Sequence, residues 1–210
     1  MNGSEEKLKL LDKDRGMGKI TVLVGPDGGG KSFLAKRLAS SNPNAVVVSG
    51  THPNEWSDVY QKRAERIKSK YGGERGSKYY GLLAAVNHRM VDDMARGGKG
   101  VVVDSEQVFK WLMWEALDGK LDHAIKVLTA HDIKAVLPDE IRYVVPNAAN
   151  FDDQAGLIWK NLQKKPEEER SSIDPKNLNE VKERLAASEK VILALEKLGL
   201  KIEGKPSWLS

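Results

Sequence analysis

The feature that most constrains this chain is the run Gly25-Pro26-Asp27-Gly28-Gly29-Gly30-Lys31-Ser32, set between two apolar segments of different period. Before it, Lys19 to Val24 reads Lys-Ile-Thr-Val-Leu-Val, a short β-branched run that predicts a buried strand. After it, Ser32 to Ser40 spaces its apolar residues as a helix does. The run fits G-x-x-x-x-G-K-[ST], which average composition would produce in about one chain in a hundred of this size. Glycines let the backbone curl so that successive N–H groups converge, and the helix that follows adds the positive end of its dipole. Such a turn cradles phosphate. Lys31 would reach the β- and γ-phosphates of a triphosphate and the Ser32 hydroxyl would ligate magnesium. The expected ligands are therefore ATP and Mg2+, held by Gly25, Asp27, Gly28, Gly29, Gly30, Lys31, Ser32 and Phe33.

The remaining periodicity alternates strands with helices. Strands are predicted at Ala45–Ser49, at Val101–Asp104, at Ile141–Val145 and, briefly, at Leu200–Glu203. Helices are predicted over Tyr79–Met94, after a cap at Ser105, over Leu121–Thr129, over Phe151–Lys164 and over Pro175–Leu198. This order implies an α/β chain with a parallel sheet covered on both faces. Val101-Val102-Val103 has no polar residue before Asp104, so Asp104 should stand at the carboxyl edge of a buried strand, where such sheets bind ligands. It is the candidate carboxylate for organising magnesium, together with Ser32. Glu106 either joins it or stabilises the start of the next helix.

Composition narrows the class further. The 210 residues carry 34 basic and 30 acidic side chains, a net +4, with no cysteine. Disulfides, zinc-thiolate sites and thiol nucleophiles are excluded, and a reducing cytoplasm suits the chain. Residues 1–18 lack the apolar stretch of a secretion signal, and no apolar run reaches membrane-spanning length. His52, His88, His123 and His131 show no metal-ligand spacing. The basic residues are interleaved with acids, as in Lys62-Arg63-Ala64-Glu65-Arg66, which reads as a solvated helix face more readily than as a nucleic-acid stripe. Expected partners are nucleotide substrates; a homodimer is compatible with the sequence, nucleic acid is less favoured, and no membrane is expected.

These motifs together resemble the thymidylate kinase group of nucleoside monophosphate kinases. The loop is similar to that family's Gly-x-Asp-x-x-Gly-Lys-Ser/Thr, and the resemblance implies that Asp27 helps to hold the acceptor sugar. Leu82-Leu83-Ala84-Ala85 resembles the helix beside the nucleobase, and Val101–Asp104 falls where the family has strand-Asp-Arg. The implied fold is a P-loop kinase: a central five-stranded parallel sheet flanked by helices, with a helical lid. The chain then divides into an N-terminal tail (1–18), a kinase domain (19–204, with the lid near 160–173) and a C-terminal tail (205–210). Lys31, Asp27, Asp104 and the lid's Arg170 become the expected catalytic residues, with Lys160, Lys164 and Lys165 as further lid cations. The acceptor side departs from the family. Ser105 stands where an arginine would grip the monophosphate, Ser49-Gly50-Thr51-His52-Pro53 replaces a Pro-Gly-Gly segment, and only Tyr79 or Tyr80, with Asn87 or Arg89, is available near the base.

The expected activity is transfer of the ATP γ-phosphate to a nucleoside monophosphate, dTMP-like by resemblance. Two alternatives use the same loop: a kinase of this fold acting on another acceptor, such as a modified base in DNA, and a nucleotide-binding regulator without acceptor chemistry. Trp111 and Trp114, three apart beside Val108 and Leu112, read as core, whereas Trp56 divides evenly between packing and an acceptor pocket.

Overall fold

The computed structural model describes residues 18–50, 52, 56–71, 77–130, 140–166 and 174–209. Among these residues twelve elements follow in chain order. They are β1 (Ile20–Val24), α1 (Lys31–Ser40), β2 (Ala45–Ser49), α2 (Asp58–Tyr71), α3 (Ser77–Arg96) and β3 (Gly100–Asp104), followed by α4 (Gln107–Leu117), α5 (Leu121–Ala130), β4 (Glu140–Tyr143), α6 (Phe151–Gln163), α7 (Leu178–Lys197) and β5 (Ile202–Glu203). The strands form one sheet in the order β2-β3-β1-β4-β5. All neighbouring pairs are parallel. The predicted fold class is thus the observed one.

β1 lies at the centre, and all five of its residues are buried. Its pleat feeds two cores. Ile20, Val22 and Val24 join the larger cluster with Val101, Val103, Ile141, Met90, Leu112 and Ile192. Leu23, on the other face, meets Ala35 of α1 and Val102. Alternate residues of a strand face opposite ways, so a continuous apolar run is what a strand covered on both faces needs. α7 serves two masters: Val181 and Leu185 near its start pack on Ala155 and Ile158 of α6, while Val191, Ile192 and Leu195 near its end enter the main core.

Register decides what reaches the carboxyl edge. Asp104 pairs with Leu23 on one side and with Ser49 on the other. Tyr143 pairs with Val24. The Gly-rich turn therefore leaves the sheet beside Asp104, with the end of β4 on its other flank. Crossing strand order at this point opens a crevice, the usual ligand position in such sheets.

One expectation needs correction, and one reading left open is decided. Ser105 does not cap the helix: Glu106 is the N-cap, accepting a hydrogen bond from the Phe109 N–H at 2.8 Å. The reason is local, because Ser105 lies in the left-handed region at φ 64° and its hydroxyl is turned onto Asp104 Oδ1 at 3.3 Å. Trp56 is packing rather than an acceptor platform; it is buried, and its indole N–H is donated to the Ser49 carbonyl at 2.6 Å, pinning the end of β2. Trp111 is core as expected, and α4 begins at Gln107.

Candidate active site

The turn between β1 and α1 is built from backbone held at close quarters. Gly25, Gly28 and Gly30 have φ of 138°, 80° and 98°, conformations that side chains resist. At Gly25, Gly28 and Gly29 space forbids side chains as well. A Cβ on Gly25 or on Gly29 would stand 2.5 Å from the Val144 carbonyl oxygen, just past β4. A Cβ on Gly28 would meet Leu162 Cγ at 2.8 Å and the Ile158 carbonyl oxygen at 3.0 Å, both on α6. Asn161 of α6 donates to the Gly28 carbonyl at 3.2 Å, so α6 roofs the loop.

α1 starts with Gly30 at its N-cap, without a side-chain cap and without an acidic residue in its first turn. Its first N–H groups thus lack an intramolecular acceptor of the usual kind, which is the condition for binding an anion there. Lys31 supplies the charge. It is only 7% exposed, and its ammonium donates to the carbonyls of Gly25 at 2.9 Å and Pro26 at 2.7 Å. Asp27 Oδ1 lies 3.9 Å away. Burial pulls the Lys31 pKa below its ordinary value, with Lys110 pushing the same way and Asp27 and Asp104 opposing. The ammonium is folded onto its own loop and must leave those carbonyls to meet a phosphate.

Asp27 sits in a cationic setting. Burial disfavours its carboxylate, yet Lys31, Lys110, Arg184 and Lys165 together outweigh that and hold its pKa below the usual range. Asp104 stands at the end of β3 with the Ser105 hydroxyl on it. Glu106 is half-buried and its carboxylate is committed to the N–H groups of α4; desolvation raises its pKa while those hydrogen bonds oppose the rise. Of its two readings, helix stabilisation is the one its hydrogen bonds fulfil.

The structure brings Gly25, Asp27, Gly28, Gly29, Gly30, Lys31 and Asp104 together at one sheet edge. Ser32 follows at the second position of α1, on its exposed side. Phe33 is 74% exposed, so its ring is not drawn into the loop. Lys165 pairs with Asp174 at 3.1 Å. Arg170, Thr51 and Pro53 lie outside the described residues. On α3, Asn87 is buried, whereas Arg89 is 60% exposed and paired with Asp93 at 3.2 Å. Lys110 and Arg184 were not anticipated. Lys110 could have been found from the spacing Glu106, Phe109, Lys110, Met113, one face of a helix that starts at the sheet edge. No sequence signal marks Arg184.

Residues 14–130, more than half of the chain, match the family model described as an AAA domain. The chain belongs to this family of P-loop NTPases. As an AAA-domain chain it also resembles curated and solved proteins beyond the matched segment. It is 30% identical over 145 residues to a guanylate kinase of Maricaulis maris (strain MCS10), an alignment that covers 62% of this chain and 63% of that protein's length. A deoxyadenosine kinase from M. mycoides with bound dCTP superposes with a TM-score of 0.53 at 10% identity, covering 91% of each chain. The same enzyme with bound dATP gives 0.54 at 11% identity, covering 91% of this chain and 92% of the other. These structural matches establish the fold. Among the described residues no helix is long and apolar enough to cross a membrane.

Proposed function

We propose that this chain transfers the γ-phosphate of ATP to a nucleoside monophosphate. The observation that carries the reading is the loop: three left-handed glycines, an uncapped helix start and a buried lysine converge where β1 leaves the sheet. Kinase relatives at the level of sequence and of fold agree with it.

The residues fit a magnesium-bound triphosphate. Ser32 offers a hydroxyl and Asp104 a carboxylate, an all-oxygen pair of the kind a hard cation takes. Magnesium, when bound, screens the charge of the phosphates and orients them. The protein's own part is positioning. Amides of the loop and of the first turn of α1 hold the donor phosphates, and Lys31 moves from the Gly25 and Pro26 carbonyls onto the β- and γ-oxygens. Release of Lys31 frees Asp27, which orients the acceptor. Phosphoryl transfer asks little else of a protein than position and neutralised charge.

The base of the acceptor is a finer matter. Thymidylate rests on the resemblance of the loop, while the aligned curated relative is a guanylate kinase. We therefore place the acceptor in the monophosphate class, with purines included. The test is a turnover screen with ATP and magnesium against ribo- and deoxyribonucleoside monophosphates of every common base, with duplex DNA as a further acceptor. Conversion of at least one monophosphate to its diphosphate is expected. Phosphate transfer to DNA alone, or ATP hydrolysis with no transfer, would overturn the reading.

A further inference from the structure

One face of α4 looks directly at the phosphate loop. Glu106, Lys110 and Met113 lie at spacings of four and three, which a helix stacks on one side. They line the same pocket as Asp27, Lys31 and Ser105. The pocket thus has the donor loop on one wall and the first two turns of α4 on the other.

Lys110 is half-buried in that wall. Among the described residues its ammonium enters no ion pair and no side-chain hydrogen bond. The two acids nearest to it in the pocket are already engaged. Glu106 accepts from the Phe109 N–H at 2.8 Å at the head of α4. Asp27 faces Lys31 at 3.9 Å. Ser105 contributes no charge, since its hydroxyl is turned onto Asp104. Lys110 also acts electrostatically on both Asp27 and Lys31, so its charge is felt inside the pocket. Two lysines therefore converge on one small space against a single carboxylate free of helix capping. Like charges held together in a partly dry pocket repel unless an anion comes between them.

The loop amides and Lys31 already account for the donor's phosphates. An anion held by Lys110 stands against the α4 wall of the pocket, whose other wall is the loop with Asp27 and Lys31. We propose that Lys110 holds the phosphate of the acceptor nucleotide, so that the acceptor is recognised through a terminal phosphate monoester as well as through its base. The inference deepens the phosphotransferase reading and rests on it for the word acceptor; the anion site itself does not. A nucleoside without phosphate would lack this contact.

The experiment separates the two. Protein saturated with magnesium and a non-hydrolysable ATP analogue is titrated with inorganic phosphate, and binding is followed by calorimetry for the wild type, Lys110→Ala and Lys110→Arg. Lys110 gives up no described hydrogen bond, so all three should melt within a few degrees of one another. Loss of a charge-assisted contact should weaken phosphate by about tenfold or more in the alanine variant. The arginine variant keeps the charge and should stay within about threefold of the wild type. Affinity for the ATP analogue should change by less than about twofold in both, because the donor contacts are elsewhere. Equal phosphate affinity in wild type and Lys110→Ala, no phosphate binding by the wild type, or a parallel loss of the ATP analogue would each overturn the proposal. If phosphate binding depends on Lys110 but no monophosphate is turned over, the anion site stands and the kinase reading falls.

Discussion

The two walls of the pocket are made of different material. On the loop side the backbone does the holding: Val144 presses its carbonyl against Gly25 and Gly29, α6 closes over Gly28, and a side chain at any of these three positions would clash. On the α4 side the polar work falls to side chains: Ser105, Glu106 and Lys110 line the pocket there, and Lys110 is half-buried and enters no ion pair among the described residues. A site built from backbone is fixed before its ligand arrives, while a site built from buried, unpaired side chains stays expensive until the ligand satisfies it. The first kind can be shared by many acceptor chemistries; the second is where one acceptor is chosen.

Substitutions at the loop and at Asp104 test this contrast. Lys31→Ala should have the largest effect, reducing phosphate transfer at least about a hundredfold by removing charge stabilisation at the donor. Circular dichroism should show an unchanged fold, since the helix start tolerates alanine; a variant with near wild-type turnover would remove the loop from the chemistry. Asp104→Asn should lower turnover by about tenfold or more across a magnesium titration, an effect on organising the donor rather than on folding. Identical titration curves for variant and wild type would take Asp104 out of the site.

How much of this the sequence could show follows the same division. The strand, the Gly-rich turn and the helix are contiguous, so their spacing alone carried the loop, Lys31 and the buried strand ending at Asp104. A single five-stranded parallel sheet came with the resemblance of the loop, but the order β2-β3-β1-β4-β5 was not legible, because periodicity says that strands alternate with helices and not which lie side by side. Ser105 misled, since a serine before a helical stretch is a common cap; its left-handed φ hands the task to Glu106. Trp56 was ambiguous because only the fold puts the Ser49 carbonyl within reach of its indole. Lys110 and Arg184 are separated by 74 positions in the sequence, and only packing brings their charge to Asp27.

Two smaller effects test the backbone side of the contrast. Gly28→Ala and Gly30→Ala both force alanine into a left-handed conformation, at a cost of about 1–2 kcal/mol each. Gly30 has nothing within 4 Å of its added Cβ, whereas Gly28 has Leu162 and the Ile158 carbonyl. Chemical denaturation should therefore find Gly28→Ala the less stable of the two by a further ~1 kcal/mol or more. Equal losses would mean that α6 does not brace the loop. The smallest effect belongs to Glu106. Glu106→Ala should cost about 1 kcal/mol through the lost cap, and Glu106→Gln less than about half of that, because an amide oxygen still accepts from Phe109. A larger loss of turnover than of stability in Glu106→Gln would give that carboxylate a role in the chemistry after all.

The proposed reaction passes the γ-phosphate from the Lys31 loop to a monophosphate across this pocket. Incubation of the protein with γ-labelled ATP, magnesium and an equimolar pool of nucleoside monophosphates, followed by separation of the products, tests it most directly. Label is expected in the β-position of one or a few nucleoside diphosphates, and its loss is expected in Lys31→Ala. Label that appears only as inorganic phosphate, or a diphosphate yield that survives Lys31→Ala, would contradict it.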